Sequence, residues 1–179
     1  IVNDTRVIPA RIFGKKAKEG TGGKCEFLLL EETAPGHWDA LMRCRRRPKV
    51  GEQVILDNDL ATVTILEEGE KGRVKISVES SQPFLETLDQ IGQTPLPPYI
   101  ARKEAPEAQR DADKVRYQTV FAREPGAFAA PTAGLHFTPE ILSNIHHAFL
   151  TRHVGVGTFR PVKAELTKDH EMHAERYHL

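Results

Sequence analysis

Two stretches of strictly alternating apolar and polar residues constrain the fold of this chain most strongly. The apolar members are Ala61, Val63 and Ile65 in the first stretch and Val74, Ile76 and Val78 in the second. A period of two places successive side chains on opposite faces of a strand. Because a turn-rich segment, residues 67–72, separates the stretches, the pattern predicts two antiparallel strands that each bury one face.

Three further short runs that are typical of strands precede this pair, at residues 25–30, 38–44 and 53–56. No crossover helix is predicted between them, and parallel strands would need one. About five or six short strands at this turn-marked spacing predict a small antiparallel barrel or sandwich. We place that domain at residues 11–82.

The spacing of apolar residues changes from a strand pattern to a helical pattern at Pro83, and this change predicts a domain boundary. Residues 84–91 carry an apolar stripe at helical spacing, and Gly92 closes it. Residues 94–100 are too rich in proline for a helix or a central strand. Residues 101–113 are polar and are expected to lack order.

The last third of the chain has the pattern of a mixed α/β layer. Residues 115–122 are predicted to form a helix, and strands are predicted at residues 126–130 and 153–159. A helix between two strands is the unit of such a layer. Residues 1–10 and 83–179 are therefore assigned to an α/β domain into which the antiparallel domain is inserted.

Charge and cysteine content limit the classes of protein to which the chain can belong. The 179 residues include 25 basic and 25 acidic ones, so contact with nucleic acid requires local clustering. Residues 43–49, RCRRRPK, are such a cluster, although they also fit a solvated edge strand and turn. Cys25 and Cys44 lack metal-ligand spacing and predict reduced thiols with structural roles. Neither a membrane span nor a signal peptide is predicted, so we expect a cytoplasmic protein.

Two glycine-rich stretches, residues 129–138 and 153–159, predict a ligand site. Glycine lets the backbone approach a ligand closely, so Gly134, Gly155 and Gly157 beside two histidines favour binding over packing. Glycine turns also occur where a sheet merely bends, and this structural alternative stays open.

A helix is predicted directly after the first glycine-rich stretch. Thr138 is expected to cap it, Pro139 to occupy its first turn, and apolar residues recur at helical spacing as far as Phe149. His136 would then precede a helix N-terminus, whose unpaired N–H groups suit a carboxylate or phosphate. The alternative for a histidine at this position is a capping or packing role.

Longer segments of the chain match one known family. They are NDTRVIPARIFG from Asn3, PLPPYI from Pro95, RYQTVFAREPGAFAAPTAGLHFT from Arg116, HVGVGTFRPV from His153 and H-x-M-H-x-E from His170. In order and content they resemble the S-adenosylmethionine:tRNA ribosyltransferase-isomerases of queuosine biosynthesis. Members of that family extend further at both ends, so we expect this chain to be part of a longer protein.

The resemblance implies a fold of the α/β plus all-β class: an open α/β-barrel main domain with an inserted small antiparallel, Greek-key-like β-barrel domain. It also implies transfer of the ribosyl moiety of S-adenosylmethionine onto 7-aminomethyl-7-deazaguanine at the tRNA wobble position. Isomerisation would give epoxyqueuosine, and adenine and methionine would leave. S-adenosylmethionine would be a cosubstrate, with no other cofactor and no metal, and the protein a monomer without membrane contact.

The implied reaction begins with loss of a proton from the carbon next to the sulfonium, which needs a base of near-neutral pKa. The catalytic candidates are His136, His153 and His173, with His170 nearby. The threonines would bind ribose hydroxyls, the aromatic rings would stack on bases, and Arg6 would hold the methionine carboxylate. The substrate-binding candidates are Arg6, Tyr117, Thr132, Ala133, Gly134, Phe137, Gly155, Gly157, Thr158 and Phe159. A tRNA substrate also makes Arg45, Arg46, Arg47 and Lys49 candidates for tRNA binding.

Competing hypotheses remain at this point. Asp4 and Arg6 would be a structural ion pair if the first segment only packs, and Tyr117 and Phe121 would be core residues. A metallohydrolase is the rival suggested by the histidines and glutamates of residues 170–178, although their spacing does not match the helical zinc-protease pattern. The other rival is a non-catalytic RNA-binding module built on the barrel.

Overall fold

A computed structural model describes residues 1–17, 23–97, 100, 106–159, 175 and 177–178 of the chain. The chain divides into two compact units. The barrel unit is Pro9–Pro95, and the mixed unit consists of Ile1–Ile8 and Leu96–Leu179. The barrel unit therefore interrupts the mixed unit along the sequence.

Six antiparallel strands form the barrel unit. Two short strands of the mixed unit precede them, β1 (Val2–Asn3) and β2 (Thr5–Val7). The six are β3 (Arg11–Lys16), β4 (Lys24–Ala34), β5 (His37–Cys44), β6 (Gln53–Leu56), β7 (Ala61–Glu68) and β8 (Arg73–Ser80). They pair in the order β3-β4-β5-β8-β7-β6, and β6 pairs with β3 to close the barrel. The predicted small antiparallel barrel is confirmed.

Alternation along the strands explains why the barrel closes around an apolar interior. Every second residue of β4 from Cys25 to Leu29, and of β7 from Ala61 to Ile65, is buried. Burying a large apolar side chain completely stabilises a fold by about 1.5–3 kcal/mol, so the strands gain most when these faces share one interior. The alternating pattern therefore explains why the strands close into a barrel.

The barrel has Greek-key connectivity, because β6 lies beside β3 after the three consecutive strands β3, β4 and β5. The long return connection of this motif is residues 45–52, between the end of β5 and the start of β6. That connection carries most of the basic cluster. Since the barrel is closed, the cluster is a surface loop and not an edge strand.

Cys25 and Cys44 are far apart in sequence but are direct partners between β4 and β5. Both are free thiols, Cys25 buried and Cys44 half-buried. Burial, together with the neighbouring Cys44 thiol, raises the pKa of Cys25 to about 12. Cys25 therefore stays protonated at neutral pH and packs as a small apolar residue.

Helix α1 (Phe84–Ile91) belongs to the barrel unit. Its Phe84 ring packs edge-on against Trp38, with the ring centroids 5.9 Å apart, and the N–H of Gly92 ends the helix by donating to the Leu88 carbonyl at 2.7 Å. The predicted helix is confirmed. The unit reaches Pro95 and so includes this helix, which the change of period at residue 83 had placed in the α/β domain.

The mixed unit contains the remaining α-helices and strands of the described residues. They are α2 (Glu107–Arg116), β9 (Glu124–Ala127), α3 (Pro139–Ser143), β10 (Phe149–Arg152) and β11 (Tyr177–His178). Strand β1 pairs with β10 and β2 with β9, both in parallel, while β11 pairs with β10 antiparallel. The predicted open α/β barrel stays a prediction, because the described residues of this unit form only these two small sheets.

The helix predicted over residues 115–122 is wrong. Helix α2 lies earlier and ends at Arg116, where the N–H of the following Tyr117 donates to the Asp113 carbonyl at 3.0 Å. Residues 107–116 consist largely of strong helix formers, so their polarity reflects an exposed helix and not a lack of order. The expectation for residues 101–113 is wrong for this helical part, and residues 101–105 lie outside the described part of the chain.

Local side-chain bonds shorten the helix predicted after Thr138. The Ser143 hydroxyl and the Asn144 amide both donate to the Glu140 carbonyl at 2.8 Å, and such bonds compete with helical continuation. Helix α3 therefore has five residues, and Phe149 begins strand β10. The strand predicted over residues 153–159 is also wrong, since Val156–Phe159 form a 3₁₀ helix.

A substitution at Gly14 in β3 tests how closely β3 and β6 approach each other where the barrel closes. A Cβ atom at this position would collide with the Ile55 carbonyl oxygen of β6 and lie 2.9 Å from Val54 Cγ1. We expect Gly14→Ala to lower the free energy of unfolding by about 1–3 kcal/mol, because β6 must move away. Urea denaturation of the complete protein measures the effect, with the exposed neighbour Lys15→Ala as the control. Equal stability of the two variants would contradict the close approach.

Candidate functional site

The buried carboxylate of Asp4 holds the centre of the mixed unit together. It accepts hydrogen bonds from Arg123 Nη2 at 2.6 Å and from the Thr151 hydroxyl at 2.6 Å. The main chain of Asp4 adds bonds to the same two segments, since its carbonyl accepts from Arg123 N–H at 2.7 Å and its N–H donates to the carbonyl of Leu150, next to Thr151, at 3.0 Å. One residue thus joins the β1–β2 segment to both β9 and β10.

The ionised form of Asp4 is favoured by this environment. Burial by itself would raise the pKa of Asp4, but the hydrogen bond from Thr151 and the hydrogen bonds and charge of Arg123 outweigh burial and lower it. Asp4 is therefore a fixed negative charge at neutral pH. The proposed Asp4–Arg6 pair is wrong, because the ion-pair partner of Asp4 is Arg123.

His153 lies on this framework directly after β10. Its Nδ1 atom is 2.7 Å from the hydroxyl oxygen of Thr5 in β2. The ring lies against the backbone of Gly126, where an added Cβ would be 2.8 Å from His153 Cε1. Gly126 also has a φ of 150°, which disfavours other residues, so its glycine both permits the backbone turn and leaves room for the imidazole.

Glu175 fixes the chain on either side of His153. Its Oε2 atom is 2.6 Å from Arg152 Nε, and its Oε1 atom accepts from the Gly155 N–H at 3.2 Å. Glu175 was predicted only as part of the H-x-M-H-x-E motif and of the cluster behind the metallohydrolase hypothesis, and neither prediction included these contacts.

Gln118 is a second residue that sequence reasoning missed. Its side-chain oxygen accepts from the Val7 N–H at 3.0 Å, and its side-chain nitrogen donates to the Val7 carbonyl at 2.8 Å. The amide therefore bonds to β2 as a neighbouring strand would. Its place in the RYQTV segment was the available signal, but hydrogen bonding to a distant backbone leaves no pattern in sequence.

The first glycine-rich stretch forms a compact turn. Gly134 lies so close to Phe121 that an added Cβ would be 2.8 Å from its Cζ atom. Phe121 packs edge-on against Phe137 with centroids 6.2 Å apart, and the exposed ring of His136 stacks on Phe137 at 4.5 Å. Phe121 is buried, in agreement with the core alternative, whereas His136 is open to solvent.

Thr138 caps α3 as predicted, accepting a hydrogen bond from Ile141 N–H at 3.3 Å. The helix has only five residues, so its aligned peptide dipoles are few. The expectation that this helix end attracts an anion beside His136 therefore has little physical support. His136 retains an exposed imidazole next to an aromatic ring.

The structure separates several predicted substrate-binding residues from His153. Arg6 is exposed on β2 between the buried Thr5 and Val7, so it projects from the opposite face of the strand to the hydroxyl that contacts His153. In the described part of the chain it has no ion-pair partner. Tyr117 is buried in a cluster with Val7 and Ala127, which agrees with the core alternative.

The other predicted residues of this group lie on turns. Thr132 and Ala133 are exposed in a 3₁₀ helix, Thr132–Gly134. Gly155 is half-buried and donates to Glu175, while Gly157 and the exposed Thr158 belong to the second 3₁₀ helix. His170, His173 and the side chain of Phe159 lie outside the described part of the chain, as does most of the cluster on which the metallohydrolase hypothesis rests.

The predicted tRNA-binding residues all lie on the Greek-key connection of the barrel unit. Arg45, Arg46, Arg47 and Lys49 are exposed there. Two hydrogen bonds hold the main chain of this loop. Lys16 Nζ donates to the Arg47 carbonyl at 3.1 Å, and Lys49 N–H donates to the Glu52 carboxylate at 3.1 Å. The backbone is thus fixed while the cationic side chains remain accessible.

Among the described helices, none is long and apolar enough to cross a membrane.

Comparison with known proteins matches the whole chain to one protein family. The protein family described as "Queuosine biosynthesis protein" matches residues 1–179. Among solved structures, the chain is similar to the crystal structure of an S-adenosylmethionine tRNA ribosyltransferase from Thermotoga maritima, with 22% sequence identity and a TM-score of 0.37. The match covers 85% of this chain and 39% of that chain, so the sequence spans well under half the length of that protein.

The framework around Asp4 predicts a defined pH dependence of stability. Asp4→Asn should lower the free energy of unfolding by about 1–3 kcal/mol at neutral pH, because it removes a charged hydrogen-bond acceptor. The pKa of Asp4 is lowered from 3.8 in the folded state, so its contribution is complete above that value and is lost as the pH falls through the folded pKa.

Urea unfolding of both proteins at several pH values measures this difference. The gap between wild type and Asp4→Asn should be constant near neutral pH and shrink under acid. Glu124→Gln, which changes an exposed carboxylate next to Arg123, is the matched control and should leave stability unchanged. A gap that widens as the pH falls would show that Asp4 is not stabilised as a carboxylate.

Proposed function

This chain belongs to the queuosine biosynthesis protein family, and we propose that the complete protein is an S-adenosylmethionine:tRNA ribosyltransferase-isomerase. The observation that carries the proposal is the family match over all 179 residues. The imidazole of His153 supports the proposal, because Thr5 holds it in place and it lies in the segment HVGVGTFRPV that resembles the family. The proposed substrates are S-adenosylmethionine and a tRNA that carries 7-aminomethyl-7-deazaguanine at the wobble position.

The proposed reaction conserves atoms and charge without an oxidant or a reductant. A base removes a proton from the carbon next to the sulfonium, the ribose ring opens, and the aminomethyl nitrogen attacks the sugar carbon as adenine departs. The sulfonium-bearing carbon then attacks the aldehyde, and the resulting oxyanion closes the epoxide while methionine leaves. Adenine carries away one proton and solvent takes another, which balances the positive charge of the cosubstrate.

We assign the first proton transfer to His153. Its ring is half-buried and is held by a hydrogen bond at one nitrogen, so the other nitrogen has a fixed direction. General-base catalysis depends on such positioning as much as on basicity. His136 is exposed and beside an aromatic ring, which fits an acid that assists the departure of adenine. His173 keeps its place as the third catalytic candidate.

We propose that the two glycine-rich segments bind the cosubstrate. Thr132, Ala133 and Thr158 are exposed on short 3₁₀ helices, where hydroxyls and backbone groups are available to ribose oxygens. Every step moves protons or heterolytic bonds, so no metal or redox cofactor is required.

We propose that the Greek-key connection of the barrel unit binds the phosphate backbone of tRNA. Three consecutive arginines on an anchored loop present cations to solvent without a described acidic partner at Arg45, Arg46 or Arg47. Such contacts give affinity and orientation but no base specificity. The same loop is what a non-catalytic RNA-binding module would use, so binding alone cannot distinguish the two functions.

Turnover by the complete protein tests the proposed activity. We expect incubation with S-adenosylmethionine and the modified tRNA to release adenine and to give epoxyqueuosine, detected by mass spectrometry of the digested nucleosides. His153→Ala should abolish turnover while tRNA binding is retained, because the first proton transfer loses its base. Folded protein that binds tRNA tightly and forms neither product would refute the enzyme and leave the RNA-binding module.

The arginines of the loop predict a change in salt dependence. Replacing Arg45 and Arg46 together by alanine should weaken tRNA binding and reduce the slope of log affinity against log salt concentration by about one for each phosphate that the loop no longer neutralises. Affinity for S-adenosylmethionine should not change. Lys15→Ala, which removes one exposed cation from the wall of the barrel, is the control for a positive charge lost outside the loop. A slope equal to that of the control would place the tRNA-binding surface elsewhere.

A further inference from the structure

The side chain of Thr5 is buried, and the position of its hydroxyl is fixed by the strand in which Thr5 lies. Its relative exposure is 0%, and it lies in β2 opposite Glu124 of β9. Its own N–H donates to the Asn3 side chain at 3.3 Å. The hydroxyl oxygen is 2.7 Å from His153 Nδ1, which is the length of a good hydrogen bond.

A role in packing alone does not account for a threonine at this position. Valine has the same shape and would fill a buried site in a strand without the cost of desolvating a hydroxyl. Within the described part of the chain, the imidazole of His153 is the partner that compensates for desolvating this hydroxyl. The contact with His153 is therefore the physical reason for the oxygen atom of Thr5.

We propose that Thr5 is a positioning residue that sets the orientation of His153, with its hydroxyl oxygen accepting a hydrogen bond from Nδ1–H. When the Thr5 oxygen accepts from Nδ1–H, the proton of the neutral ring is on Nδ1 and the lone pair is on Nε2. Nε2 is then the basic atom. This inference rests on the proposed function insofar as it names the base of that reaction.

Two further contacts limit the freedom of the ring. The backbone of Gly126 closes one side, since even a Cβ atom there would be 2.8 Å from Cε1. Beyond His153, the carboxylate of Glu175 holds both Arg152 and the N–H of Gly155. Because the main chain and one ring face are already restrained, a single hydrogen bond is enough to select one ring orientation.

Two substitutions in the complete protein test the proposal. Thr5→Val keeps the shape and removes the hydroxyl, whereas Thr5→Ser keeps the hydroxyl and removes a methyl group. By comparison with other residues that orient a functional histidine, we expect Thr5→Val to lower kcat about 10- to 100-fold. KM for S-adenosylmethionine should be unchanged, and Thr5→Ser should retain most of kcat. Thr87→Val, at a fully buried threonine of the barrel unit, is the matched control and should keep the wild-type rate.

Nuclear magnetic resonance of protein labelled with ¹⁵N-histidine provides a measurement that does not depend on turnover. The His153 nitrogens of the wild type should show the Nδ1–H tautomer, and Thr5→Val should shift them toward a mixture of tautomers. Unchanged nitrogen shifts in Thr5→Val, or loss of activity in Thr5→Ser, would overturn the role of Thr5. If the wild type forms no epoxyqueuosine, the proposed function fails, while the nitrogen shifts still decide whether Thr5 accepts a hydrogen bond from Nδ1–H of His153.

Discussion

The ionised carboxylate of Asp4 is the interaction on which the mixed unit depends. A buried charge is costly unless strong hydrogen bonds replace water, and Asp4 obtains them from Arg123 and Thr151. These two partners come from β9 and β10 or directly beside them, so the carboxylate is satisfied only when both segments are in place. The same condition brings Thr5 and His153 to hydrogen-bonding distance.

Family motifs in this chain supply much of the supporting structure as well as the candidate chemistry. The NDTR segment provides Asp4 and Thr5, the RYQTV segment provides Gln118, and the last motif provides Glu175. Each of these side chains bonds another segment that is distant in sequence. A motif residue that fixes a backbone or a ring is therefore as necessary to such a site as one that touches a substrate.

The barrel was predictable because its signal is local. A buried face in a strand leaves an alternating pattern wherever it occurs, and β5, β6, β7 and β8 all lie close to the runs predicted for them. The mixed unit has no comparable pattern. Strands β1 and β2 pair with segments more than a hundred residues away, as Thr5 does with Glu124. Within residues 115–122, where a helix was predicted, Gln118 instead bonds to the distant backbone of Val7.

The sequence by itself determined the family, the inserted antiparallel barrel and a set of candidate residues that includes His153. Motifs and alternation are properties of neighbouring residues, so they can be recognised without a fold. Only the tertiary structure decided that Arg6 and Thr5 face opposite sides of β2, that Tyr117 is core, and that Asp4 pairs with Arg123. Those outcomes depend on which distant segments satisfy buried polar groups, and nothing in the local sequence specifies the partner.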